Sequence, residues 1–119
     1  MSWRNLERTF RRYPEWQEPV RKLATAVNEI PLGVGIRPSL LARKAELSPT
    51  LTVAILHAFQ EAGLGELGLR VLDQQELEVR RFDSVDGLPG FVLDEMGDRV
   101  ELSPENVEVF FARTADVWR

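Results

Sequence analysis

Apolar residues recur at two periods along this chain, helical over about residues 3–62 and alternating from there to about residue 102. Trp3, Leu6, Phe10 and Tyr13 fall on one side of a helix over residues 3–12, with Arg4, Arg8, Arg11 and Arg12 on the other. Pro14 closes that helix, because the residue before a proline avoids the helical region. Pro19 suits an early position in a second helix. Its apolar face is Trp16, Val20, Leu23, Val27 and Ile30, its polar face is Arg21, Lys22, Thr25 and Glu29, and Pro31 ends it. Leu32–Ile36 is too short for a helix and reads as a small strand. Pro38 or Ser39 opens a third helix that reaches about Glu46. Ser48 as cap and Pro49 at the first position start a fourth helix. It runs to Ala62, where Gly63 supplies a left-handed stop.

Two strands follow, Leu67–Asp73 and Glu76–Phe82, joined at Gln74-Gln75. The turn Asp86-Gly87-Leu88-Pro89-Gly90 leads to a second hairpin, in which Phe91–Glu95 and Arg99–Leu102 flank Met96-Gly97-Asp98. Ser103-Pro104 repeats the cap-plus-proline signal. Val107, Phe110, Phe111, Thr114 and Trp118 share a helical face, so the chain is expected to end in an amphipathic helix. No repeat, low-complexity stretch or linker interrupts this order, and 119 residues fit one domain.

Composition adds three constraints. Hydrophobic residues make up 44% of the chain, enough for a folded core. Cysteine is absent, which excludes a disulfide framework and thiolate chemistry. No apolar run approaches the roughly 20 residues of a membrane span, and no apolar leader follows Met1, so a cytoplasmic location is the expectation. Thirteen arginines against two lysines suit a GC-rich bacterial genome. The net charge of −4 is unevenly spread: residues 1–44 carry nine basic and four acidic side chains, residues 45–119 six and fifteen. Such a split either steers binding or lets the two halves attract each other.

The segment Leu41–Leu64 carries Leu41-Ala42, then Leu47-Ser48-Pro49, then apolar Ile55, Leu56 and Phe59, then Gly63-Leu64. It resembles the helix-turn-helix of winged-helix regulators of the multiple-antibiotic-resistance repressor type. The resemblance covers about residues 38–82, with the strand pair standing where that fold has its wing. It implies an α+β fold: a winged-helix core, to which this chain adds an N-terminal helix, a second β-hairpin and a C-terminal helix. The single domain then divides into N-terminal helices (1–30), helix-turn-helix and wing (38–82), and hairpin with final helix (91–118). On a helical wheel Leu51, Ile55, Leu56, Phe59 and Ala62 occupy an arc of roughly 140°. That arc can close over Leu40, Leu41, Ala45 and Leu47.

DNA-binding relatives write their recognition on the opposite face of this helix, usually with Thr, Ser, Arg or Lys. Here that face is Thr50, Val53, Ala54, His57, Gln60 and Glu61, with no cation. The wing tip, Asp73-Gln74-Gln75-Glu76, is acidic, and Arg80 and Arg81 lie farther along. The phosphate attraction that dominates DNA affinity is therefore missing from the fourth helix. Positive charge is concentrated instead in the stripe Arg4, Arg8, Arg11 and Arg12, with Arg43 and Lys44 as possible additions. Aromatic residues gather near the termini (Trp3, Phe10, Tyr13, Trp16, Trp118), as core or as interface.

Signals for catalysis are weak. Gly63-Leu64-Gly65-Glu66-Leu67-Gly68 matches G-x-G-x-x-G, but a dinucleotide loop needs a strand before it and a helix after it. Here the order is reversed, so a helix stop and a tight turn are expected to explain the glycines. His57 is the only histidine and has no ligand cluster or nucleophile at useful spacing. Glu76, Glu78, Asp94 and Glu95 lie on hairpins, where exposed acids discourage edge pairing. The expectation is a non-catalytic interaction module, a protein–protein adaptor or subunit of a larger bacterial assembly, with neither cofactor nor metal. A protein partner or self-association is favoured. The alternative is a sequence-specific DNA-binding transcriptional regulator.

Overall fold

The computed structural model describes the backbone of residues 3–117, and their side chains except those of Trp3, Asn5 and Thr9. The readings made for the Trp3 side chain and for Trp118 lie outside the described residues. The architecture is α+β. Helices α1 (Trp3–Arg11), α2 (Gln17–Asn28), α3 (Pro38–Ala45) and α4 (Pro49–Glu61) precede strands β1 (Gly65–Leu72), β2 (Glu78–Phe82), β3 (Phe91–Leu93), β4 (Arg99–Glu101) and β5 (Val107–Arg113). Short 3-10 turns at Pro14–Trp16 and Val85–Gly87 complete the order. The chain forms two compact units, one holding the residues up to Leu67 and from Phe111 on, the other Gly68–Phe110.

Local signals set the ends of the helices in the first unit. The Ser48 side chain accepts from Leu51 N at 3.2 Å, satisfying one of the free amides at the start of α4, and Pro49 needs none. Gly63, at φ +77°, stops that helix. Helix α3 ends on Glu46 in the left-handed region (φ 55°), and Leu47 N reaches back to Ala42 O at 2.9 Å. The core of this unit joins Val20, Leu23, Ala24, Ala26 and Val27 of α2 to Leu41 and Ala45 of α3, and to Ile55, Leu56 and Phe59 of α4. Leu6 of α1, Leu64, Phe111 and Val117 complete it. Phe10 and Trp16 pack on its margin with ring centroids 6.3 Å apart, whereas Tyr13 is exposed. Leu41 is fully buried as expected, Leu47 half-buried, and Leu40 exposed, so the α4 arc closes over only part of the set the helical wheel suggests.

In the second unit, β1 pairs antiparallel with β2 from Leu69↔Phe82 to Leu72↔Glu78, with Val79 as an extra residue on β2. Strands β3 and β4 pair from Phe91↔Glu101 to Leu93↔Arg99. The two hairpins turn in the same way. Asp73 Oδ1 accepts from Gln75 N and Leu77 N, and Asp94 Oδ1 from Met96 N and Asp98 N, all at 2.8–2.9 Å. A left-handed residue follows in each, Glu76 (φ 63°) or Gly97 (φ 80°). Val71-Leu72-Asp73 and Val92-Leu93-Asp94 thus form a small repeat, each leading into the same turn.

Three expectations are corrected. The segment after Pro104 is not a helix but strand β5, and the larger sheet runs in the order β2-β1-β5. Helical spacing of Val107, Phe110, Phe111 and Thr114 misleads because a strand covered on both sides also shows consecutive apolar residues. Val107, Val109, Phe110 and Phe111 are β-branched or aromatic, which favours the strand. Ser103 caps no helix: Ser103 N donates to Asn106 Oδ1 at 2.8 Å and Asn106 Nδ2 to Glu101 O at 2.7 Å, closing a turn. The Leu32–Ile36 strand shrinks to a single antiparallel bridge between Ile36 and Phe111, because Gly33 at φ +78° interrupts the extended run. Finally, only Gly63 of the glycine motif is a helix stop. Gly65 and Gly68 lie inside β1, where a Cβ on Gly65 would fall 2.2 Å from the Phe111 ring and one on Gly68 2.8 Å from Phe82 O.

Candidate interaction face

Helix α4 divides sharply. Thr52, Ile55, Leu56 and Phe59 are at most 1% exposed, which fixes the rotation of the helix. Thr50, Val53, Ala54, His57, Gln60 and Glu61 are consequently all exposed, as one stripe along the other side. Val53 retains 37% of its surface in water, and Leu40 on the neighbouring α3 retains 41%. Gln60 Nε2 donates to Leu67 O at 3.4 Å. Until Glu61 the stripe carries no carboxylate, guanidinium or ammonium group. It offers two hydroxyl or amide groups, one imidazole and a small apolar centre.

The β1–β2 hairpin sits differently with its charges. Asp73 is committed to its own turn amides. Arg70 bonds Glu108 (2.7 Å) and Glu78 (3.5 Å), and Arg81 bonds Glu78 (2.9 Å) while lying 4.6 Å over the Phe110 ring. Arg80 stacks 5.5 Å from the Phe82 ring centroid. The basic residues of this hairpin thus have carboxylate or aromatic partners within their own unit, and its tip exposes Gln74, Gln75 and Glu76.

Arg4, Arg8, Arg11 and Arg12 are exposed, and the first three line a shallow cleft with Glu7. Arg43 and Lys44 are exposed on α3, and Lys44 is engaged by Glu29, the residue that follows α2, at 2.9 Å. Two further features of the second unit escaped the sequence reading. The hairpin turns line a cavity of about 650 Å³ bounded by Asp73, Asp94, Asp98, Arg99 and Glu101, for which the repeated Val-Leu-Asp was the available signal. Leu69, Val85, Leu88, Pro89, Leu102 and Val107 line an apolar groove of about 460 Å³. Among the described residues no group of three or more His, Asp or Glu side chains is placed to hold a metal ion. Nor is any helix long and apolar enough to cross a membrane. Compared with family models, curated proteins and solved structures, the chain matches none of them.

Proposed function

We propose that this chain is a non-catalytic winged-helix interaction module, an adaptor or subunit of a larger bacterial assembly that binds a protein through the outer face of α4. The α3–turn–α4 pair followed directly by the β1–β2 hairpin supports the winged-helix reading. The observation that carries the function is the uncharged, solvent-exposed stripe Thr50, Val53, Ala54, His57 and Gln60 on a helix whose other side is locked into the core. A duplex would need cations there, because phosphate contacts supply most of the affinity of such modules. The β1–β2 hairpin adds little positive charge, since Arg70 and Arg81 pair with Glu78 and Glu108, which leaves Arg80, stacked on Phe82, against the exposed Glu76. A small apolar centre with a polar rim suits a protein surface instead. A standard interface removes about 800 Å² per partner, more than one face of a 13-residue helix offers, so the partner also covers α3 around Leu40.

DNA binding is the second reading, favoured by the exposure of Thr50, His57 and Gln60, each able to hydrogen-bond a base edge. Val53→Glu separates fold from function, because an unpaired charge buried at an interface is costly while the same charge in water is not. Unchanged melting with lost binding of the partner protein supports the face. Retained binding of that partner removes it.

A further inference from the structure

The arginine face of α1 calls for a different partner chemistry from that of α4. Arg4, Arg8 and Arg11 stand at helical spacings of four and three, so their guanidinium groups form one row along roughly 10 Å of axis, with Arg12 beyond it. All four are exposed. They form no ion pair with a described residue, although Glu7 sits within the row. The second unit has the opposite character: Gly68–Phe110 carries eleven carboxylates against four arginines, while the rest of the chain carries eleven basic and eight acidic side chains. Of those four arginines, Arg70, Arg81 and Arg99 are already paired with Glu78, Glu101 or Glu108. Asp83, Asp86, Glu95, Asp98 and Glu105 remain exposed as net negative charge.

We propose that the arginine row of α1 docks on the acidic unit of a second copy of this chain. The charge complementarity lies within the sequence itself. The receiving surface is the concavity of about 650 Å³ between the hairpin turns, lined by Asp98 and by Glu101, which holds Arg99 at 2.8 Å. A polyanionic strand is the poorer occupant, because the eleven carboxylates on the same molecule repel it. If the exchange is mutual, each copy gives one helix and receives one, and the dimer closes on a two-fold axis. Exposed ion pairs are individually weak and screened by salt, so the association is weak and ionic-strength dependent.

Sedimentation equilibrium of the full chain tests this. At an ionic strength of about 0.01 M, where screening extends about 30 Å, the apparent mass is expected to rise with concentration above 13.6 kDa. At about 1 M, where it extends about 3 Å, the apparent mass returns to that of one chain. A chain carrying Arg4→Glu, Arg8→Glu and Arg11→Glu is expected to lose association at least about tenfold, as is one carrying Asp98→Lys and Glu101→Lys. Mixing the two altered chains restores it, because each surface then meets its opposite, and this also shows that both are folded. A chain monomeric at low salt overturns the proposal. So does association that survives the α1 reversal, or a mixture that stays monomeric. Val53→Glu leaves this association intact; its loss in that variant would move self-association to α4.

Discussion

Gly65→Ala is the sharpest test of how the C-terminal strand is placed. Alanine in the interior of a strand is ordinarily better than glycine by about 0.5–1 kcal/mol, because glycine loses more conformational freedom on folding. Gly65 shows no positive φ that would penalise alanine. The expected sign is nevertheless reversed. The new methyl carbon would sit 2.2 Å and 2.6 Å from two ring atoms of Phe111 and 3.0 Å from Ala112 O, all inside contact distance. The ring has little room to retreat: Phe111 is 1% exposed and packs on Phe59 with centroids 6.4 Å apart. Its backbone is also tied to Ile36 by hydrogen bonds of 2.8 and 2.9 Å. Overpacking of this kind costs about 1–3 kcal/mol, and the upper end applies where ring and backbone are both held. In a chain of this size that is a fall in Tm of roughly 10 °C, read by circular dichroism or calorimetry. Pairing the change with Phe111→Leu should recover more than about 1 kcal/mol relative to the sum of the single changes, because the methyl then fills space the ring has left. A variant that melts at or above the parent temperature would refute the contact, and with it the course of β5 beside β1.

Phe59→Ala, which empties a fully buried site on α4, is expected to cost about 3–5 kcal/mol in urea unfolding; unchanged melting would mean the helix is rotated. Glu46→Gly relieves a non-glycine residue at φ 55° and should stabilise by about 1 kcal/mol, seen as a raised unfolding midpoint. Titration with random-sequence duplex near physiological salt should show binding no tighter than about 10⁻⁶–10⁻⁴ M. Selection of a nanomolar, sequence-selective site would instead make Thr50, His57 and Gln60 base contacts.

The α3–α4 pair was legible because its instructions are local. Ser48, Pro49 and Gly63 mark the ends of α4, and one apolar arc fixes its rotation, so the exposed stripe follows as the complement of the buried one. Strand β5 was not legible, because its pairing with a strand about forty residues earlier leaves no local trace. Phe110 and Phe111 are adjacent and both buried, on opposite sides of a strand, and a helical wheel reads such a doublet as one face. The role of Gly65 and Gly68 was hidden for the same reason, since it depends on rings that arrive from β5 and a carbonyl from β2. Charge neutralisation on the first hairpin also needed tertiary structure: Arg70 meets Glu108 across 38 positions of sequence. Counting arginines alone would have overstated the positive potential of that hairpin.

The central claim, that the outer face of α4 binds protein, is tested most directly by a photo-crosslinking amino acid at position 53, with the exposed position 25 on α2 as control. Irradiation in cells expressing the chain should give a discrete protein adduct from position 53 and none from position 25. That adduct should disappear when Ala54→Glu is added, while the melting temperature stays unchanged. Adducts to DNA from position 53, or a protein adduct indifferent to Ala54→Glu, would contradict the account.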